Sequence, residues 1–145
     1  MFLLAENKMP KYRQLHTKII DSFDFNEMPS DFTRIVWILL IVTVDSEGRG
    51  IDNMAWARSK MFPLRPDIEL SDLESAFDWL ADRSMITRYK VNGKNYFYVT
   101  EFKSYQSGTD KEAKSTLPAP LDQLRTNSVL TPEEDQRRSK SNVWN

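Results

Sequence analysis

The chain has 145 residues, of which 40% are hydrophobic and 28% charged, and its formal net charge is −1. This length supports one modest hydrophobic core, and the absence of cysteine excludes disulfides, thiolate catalysis and cysteine-based zinc sites. The apolar run at residues 35–44 is shorter than the roughly 20 residues that cross a bilayer. The sequence therefore predicts a soluble protein with no membrane partner.

Residues 1–20 are predicted to form an N-terminal arm, because residues 10–20 mix β-forming and basic side chains without a helical period. The arm carries four basic residues and one acidic residue, a net charge of +3. His16 is the only histidine of the chain. It has no second histidine or cysteine beside it, so the sequence predicts a structural role for it and no metal site.

A first long helix is predicted over residues 32–44. Ser30 or Asp31 can cap its start by accepting from the first free backbone N–H groups. The run is apolar nearly all round, and its end at residues 41–44 also suits a buried strand. The length of the run and the capping residues favour the helix.

A sharp turn and a second helix follow. The turn covers residues 45–50, where Gly48 and Gly50 permit a tight reversal. Asp52 is expected to cap a helix over residues 53–62, and Pro63 ends it.

The third predicted helix begins at Ser71, which stands three residues before Glu74 in the spacing of a capping box. Its apolar residues recur every three or four positions and predict one buried face: Leu73, Ala76, Phe77 and Leu80. The opposite face carries several carboxylates.

A β-hairpin is predicted directly after this helix. Asn92-Gly93 separates two runs of β-forming residues, and both residues tolerate the positive φ of a type I′ turn. With this two-residue turn, Arg88 is expected opposite Phe97, and Lys90 opposite Asn95.

Three helices followed by a hairpin are typical of a winged helix-turn-helix, an α+β and mostly helical fold in which the hairpin is the C-terminal wing. We expect an N-terminal arm at residues 1–20, the winged-helix domain at residues 21–106, and a linker with a flexible, disordered C-terminal tail at residues 107–145.

Several stretches resemble the N-terminal winged-helix domain of phage and prophage replication initiators, the replisome-organiser or DnaD-like type. They are Asp45-Ser46-Glu47-Gly48-Arg49-Gly50, Arg58 to Pro63, Met85 to Tyr89, Gly93-Lys94, Tyr96, Phe102, Tyr105-Gln106, Asp110 to Ser115 and Leu117-Pro118-Ala119-Pro120. The resemblance covers roughly residues 10–120. It implies a protein of phage DNA replication or regulation that acts in the cytoplasm of a bacterial host cell, with replication proteins or a second copy of the chain as possible partners.

The distribution of charge suggests where DNA, single- or double-stranded, would bind. Residues 21–80 carry five basic and twelve acidic residues, a net charge of −7, whereas residues 81–114 carry seven basic and four acidic residues, a net charge of +3. The hairpin and the arm, rather than the acidic third helix, are therefore the predicted contacts to the DNA backbone. The candidate residues are Arg88, Lys90, Lys94, Asn95, Lys11, Arg13 and Lys18.

Two other interpretations remain open. The outward face of the third helix could instead be a docking or self-association surface, formed by Asp72, Asp78, Trp79 and Asp82. The hairpin residues could also serve only to pack the hairpin onto the helices, since a lone hairpin is marginally stable in water. No paired carboxylate, nucleophile or metal constellation stands out, so the sequence predicts neither an enzyme nor a cofactor.

Overall fold

The structure is a computed structural model that describes residues 10–121. Over this range the fold is α+β, with five helices and a three-stranded antiparallel sheet in the strand order β1-β3-β2. The elements are α1 (Phe23–Asn26), α2 (Asp31–Thr43), β1 (Arg49–Ile51), α3 (Met54–Met61), α4 (Leu70–Asp82), β2 (Ile86–Val91), β3 (Lys94–Val99) and α5 (Phe102–Tyr105). The arrangement is compatible with the predicted winged helix.

The core lies between α2, α3, α4 and the inner face of the sheet. Trp37, Phe77 and Phe97 are its largest fully buried side chains, one each from α2, α4 and β3. The Phe77 and Phe97 rings meet edge to face with centroids 5.2 Å apart, a favoured aromatic geometry. Helix α4 is thereby fixed against the sheet, and its other side faces outward.

Helix α2 confirms the predicted first helix and shows that the strand alternative for residues 41–44 was wrong. The Ser30 hydroxyl accepts from the backbone N–H of Thr33 at 3.2 Å and caps the helix. Val36, Trp37, Leu40 and Ile41 are all buried and form one helical stripe, whereas Val42 is exposed on the other side.

Helices α3 and α4 begin differently from the predictions. Asn53, rather than Asp52, caps α3, with its side chain accepting from the backbone N–H of Trp56 at 2.9 Å. Helix α4 begins one residue before Ser71, its N-cap residue is Glu69, and no side chain caps it. The predicted capping box is therefore wrong, because Ser71 already lies within the helix.

The hairpin is confirmed with the predicted register, in which Arg88 pairs with Phe97 and Lys90 with Asn95. Asn92 and Gly93 have φ values of +53° and +77°, as a type I′ turn requires. The sequence predicted only a turn at residues 45–50. The last part of that turn instead begins strand β1, which pairs with β3. Ile86, Phe97 and Val99 on one sheet face are buried in the core.

The outer face of the sheet is crossed by the C-terminal strap, a name we use for residues 112–121. The Arg49 guanidinium donates to the carbonyl of Leu117 at 3.1 Å, and the Tyr89 hydroxyl donates to the carbonyl of Pro118 at 2.7 Å. The strap begins within the predicted linker, so residues 107–121 pack against the domain rather than leading away from it. The remaining predicted tail, residues 122–145, lies outside the described residues, as do residues 1–9.

The N-terminal arm is fastened to the segment before the strap. The backbone N–H of Gln14 donates to Gln106 Oε1 at 2.9 Å, and Gln106 Nε2 returns a hydrogen bond to the carbonyl of Gln14 at 2.7 Å. Across residues 10–121, no helix combines the length and the apolar character needed to cross a bilayer.

Candidate nucleic-acid interface

The tip of the hairpin, which we define as Lys90 to Asn95, carries exposed polar and basic side chains. Lys90, Lys94 and Asn95 are exposed, and neither lysine has an ion-pair partner among residues 10–121. The register places Lys90 and Asn95 on one face of the hairpin and Lys94 on the other, next to the Asn92-Gly93 turn. The tip therefore carries two uncompensated positive charges, one on each face of the hairpin.

Arg88, two residues nearer the base of the hairpin, is held by three carboxylates. Its Nη1 lies 2.5 Å from Asp78 Oδ1 and its Nη2 lies 2.7 Å from Glu74 Oε2. Its Nε lies 3.1 Å from Asp52 Oδ2 without hydrogen-bond geometry. The positive charge of Arg88 is compensated by these three carboxylates. Arg88 therefore does not serve as the predicted contact to DNA phosphates.

The surroundings of the ion-pair cluster shift the pKa of two of its members, Asp52 and Arg88. Burial raises the pKa of Asp52 above its usual value, and Arg88 offsets only part of this effect. Burial alone would lower the pKa of Arg88, but its hydrogen bond to Asp78 and the nearby charge of Asp52 hold that pKa above the usual value. Arg88 therefore stays charged and joins β2, α4 and the start of α3.

The basic residues of the arm fall into two groups. The side chain of Arg13 is buried, with only 4% of it exposed, and it forms an ion pair with Glu112 at 2.5 Å. Lys11 and Lys18 are exposed. Arg13 thus cannot take part in the predicted footprint without breaking a buried ion pair, whereas the two lysines remain accessible.

The outward face of α4 is acidic, as the sequence indicated. Asp72, Asp78 and Asp82 are exposed, and Trp79 is half-buried at the edge of the core. Arg83 lies over the Trp79 ring, 4.6 Å from its centroid, and forms ion pairs with Asp24 and Glu27. This face would repel DNA phosphates, since it presents carboxylates where a recognition helix presents donors.

A shallow groove runs between Trp79 and the start of α2. It is bounded by Pro29, Phe32, Asp72, Ser75 and Trp79, with a volume of about 460 Å³. The predicted docking residues Asp72 and Trp79 line the groove, Asp82 does not, and Asp78 is engaged with Arg88. The groove thus brings together only half of the predicted docking set.

The tyrosines of the outer sheet face lie side by side. The rings of Tyr89 and Tyr96 stack with centroids 5.6 Å apart, and Tyr98 lies 6.0 Å from Tyr89. All three are half-buried, and the strap bonds to Tyr89. Burial raises the pKa of Tyr89 to about 12, so its hydroxyl remains a hydrogen-bond donor at physiological pH.

The sequence analysis predicted neither the strap nor the ion-pair cluster around Arg88. Together these two features determine which side chains are available to bind a partner. The alternation of residues along β2 placed Arg88 on the same face as Phe97, beside the core. The carboxylate spacing of Glu74 and Asp78 placed both on one face of α4. Together these two patterns held a signal for the cluster around Arg88.

Comparison with known proteins gives no family for this chain, because no family model, no curated protein and no solved structure matches it. The resemblance to phage replication initiators therefore stays a prediction, with the residues quoted above as its only support.

Proposed function

We propose that this chain is a winged-helix DNA-binding protein of phage DNA replication or regulation, which contacts the DNA backbone through the tip of the hairpin. The element order supports the winged-helix assignment: a helix, a short strand, two helices and a hairpin, with the short strand paired to the second strand of the hairpin. The replication context rests on the sequence resemblance alone.

The observation that carries the proposal is the contrast between Arg88 and the two lysines of the tip. Arg88 is neutralised by three carboxylates, whereas Lys90 and Lys94 are exposed and unpaired within residues 10–121. Free lysines are the groups that displace counterions from a phosphate backbone. The revised interface therefore consists of Lys90, Lys94 and Asn95, with Lys11 and Lys18 of the arm as candidate additions.

Such an interface predicts backbone contact with little sequence discrimination. Two lysines can neutralise about two phosphates, and phosphate contacts position a protein without reading bases. The acidic face of α4 disfavours insertion of that helix into the major groove. We thus expect weak, salt-sensitive binding by the tip alone.

The test is to measure binding of the full chain to single- and double-stranded oligonucleotides over a salt series. Each of Lys90→Ala and Lys94→Ala is expected to reduce the salt slope by about 0.9 for duplex DNA or about 0.7 for single strands. Lys111→Ala is the matched control, because Lys111 is also an exposed lysine but lies outside the hairpin. An unchanged slope in the Lys90→Ala/Lys94→Ala double variant would contradict the proposal.

A second candidate function is protein docking on the α4 face, and the groove beside Trp79 favours it. A basic segment of a partner protein would complement Asp72 and pack against the indole and Phe32. Trp79→Ala and Asp72→Asn should each weaken such a complex while leaving DNA affinity unchanged. Analytical ultracentrifugation of the free protein shows whether that partner is a second copy of the chain.

A further inference from the structure

The outer face of the sheet already holds a peptide, which is the chain's own strap. Two donors from different strands, Arg49 of β1 and Tyr89 of β2, reach successive backbone carbonyls at Leu117 and Pro118. The Ser115 hydroxyl bonds to the Asp45 carboxylate at the end of α2. The contacts thus follow the strap from residue 115 to residue 118.

The recognition does not use strand addition. Pro118 and Pro120 have no backbone N–H to give to a sheet edge, and Arg49 and Tyr89 bond to the strap through their side chains. Pro120 of the strap is buried. Val91, on the outer face of β2, is also buried but does not belong to the main core cluster. An extended proline-bearing segment on an aromatic face is a recurring mode of peptide recognition.

We propose that the outer face of the sheet is a binding surface for an extended, proline-bearing peptide of a partner protein, and that the strap occupies it in cis. The required ligand presents two successive carbonyls to Arg49 and Tyr89, a hydroxyl to Asp45, and prolines along the remainder. The strap itself, Ser115-Thr116-Leu117-Pro118-Ala119-Pro120, is the template for this chemistry. The proposal is independent of DNA binding at the hairpin tip.

The strap would compete with any partner peptide. A tethered ligand acts at an effective concentration on the order of millimolar, so a free peptide of similar intrinsic affinity binds the wild-type chain poorly. Weakening the strap without changing the sheet should therefore expose the surface. The double variant Pro118→Gly/Pro120→Gly does this, because it leaves Asp45, Arg49 and Tyr89 intact.

The probe is a fluorescently labelled peptide with the sequence of residues 112–121, titrated into the full-length chain. We expect the peptide to bind the Pro118→Gly/Pro120→Gly variant at least about tenfold more tightly than the wild type. Tyr89→Phe in the same background should weaken binding about fivefold, since it removes one hydrogen bond and keeps the ring. A control peptide with glycine at both proline positions should bind more weakly than the probe.

A second measurement uses the wild-type chain and covers the case in which the double variant unfolds. Hydrogen exchange at the Leu117 amide of the strap, which donates to Ser115 Oγ at 3.2 Å, should be faster than in the paired amides of β3, because a displaceable segment opens locally. Excess peptide should further accelerate exchange in the strap. Equal protection of the strap and β3 would overturn the proposal, since the strap would then open only when the whole domain unfolds.

Two further outcomes would also overturn it. One is a folded double variant, verified by circular dichroism, that binds the peptide no better than the wild type. The other is acceleration of strap exchange by a thymidine oligonucleotide but not by the peptide, which would assign the tyrosine face to base stacking.

Discussion

Arg13 and Glu112 are 99 positions apart in the chain and form an ion pair with two contacts, Nη1 to Oε2 at 2.5 Å and Nη2 to Oε1 at 2.9 Å. Their side chains are 4% and 8% exposed. Arg13 also donates to the carbonyl of Val44 at 3.0 Å, and its guanidinium lies 5.1 Å from the centroid of the Phe102 ring. This pair therefore ties the arm, the end of α2 and the start of the strap into one unit.

Removing one member of this pair should be strongly destabilising. Glu112→Ala leaves the Arg13 guanidinium buried without its carboxylate, which typically costs about 3–5 kcal/mol. Urea denaturation followed by tryptophan fluorescence measures the loss, with Lys11→Ala as the control at an exposed basic residue of the same arm. If the two variants lose the same stability, the buried pair is not an anchor of the arm.

The ion-pair cluster at Arg88 gives a second prediction. Arg88→Met leaves Asp52, Glu74 and Asp78 without their shared counter-charge, and we expect a loss of about 2 kcal/mol, less than for a fully buried pair because Arg88 is partly exposed. Lys90→Met, two residues along the same strand, is the matched control and should leave stability nearly unchanged. Equal losses in both variants would show that the cluster contributes little.

The raised pKa of Asp52 predicts a pH dependence of opposite sign to that of most carboxylates. The folded chain holds the Asp52 proton to higher pH than the unfolded chain, whose value is near 3.8, so stability is lost as the pH rises through the raised folded pKa. Asp52→Asn removes this loss and should stabilise the fold at neutral pH. The gain should shrink as the pH falls through the raised folded pKa and be smallest near the unfolded value, at about pH 4. Urea midpoints at the two pH values measure both effects, and a gain that grows as the pH falls would contradict the assignment.

Local patterns in the sequence predicted α2 and the hairpin well, because each carries its own start or turn signal. Ser30 and the Asn92-Gly93 turn act within a few residues of where they stand, and both predictions were confirmed. The capping box failed because the helix extends back to Leu70, so that Ser71 lies inside it. A local signal cannot show whether tertiary packing will lengthen a helix past it.

The parts of the candidate site that were missed depend on contacts between distant residues. Strand β1 has only three residues and exists because Gly50 can lie against Phe97, 47 positions later in the chain. The strap reads as a linker by composition, since its prolines and small residues cannot form a core of their own. Only the sheet provides the surface that binds it. For the same reason the charge of Arg13 could be counted from sequence, whereas its burial and its pairing with Glu112, 99 positions away, could not.

The two serines at helix starts allow a direct comparison of capping. Ser30→Ala should cost about 1 kcal/mol, because the Ser30 hydroxyl caps α2. Ser71→Ala should be neutral or slightly stabilising, because Ser71 lies inside α4 and alanine has the higher helix propensity. Thermal unfolding by circular dichroism measures both. If Ser71→Ala lost as much stability as Ser30→Ala, Ser71 would cap α4 as the sequence predicted.

Alanine substitutions at two glycines distinguish the stability lost to a close contact from the stability lost to backbone strain. A Cβ at Gly50 would lie 2.5 Å from Phe97 Cζ, so Gly50→Ala must displace the central aromatic ring of the core. We expect a loss of about 3 kcal/mol, at the upper end for overpacking. Gly93 has a φ of +77° and no atom within 4 Å of the added Cβ, so Gly93→Ala should cost only about 1 kcal/mol of strain.

Denaturant unfolding of the two glycine variants measures this difference, and Phe97→Leu in the Gly50→Ala background tests its cause. The smaller side chain makes room for the added methyl group, so the double variant should lose less than the sum of the two single losses. Strict additivity would show that the methyl group and the ring do not compete for the same space. In that case the close approach of β1 to β3 at Gly50 would not explain why a glycine stands there.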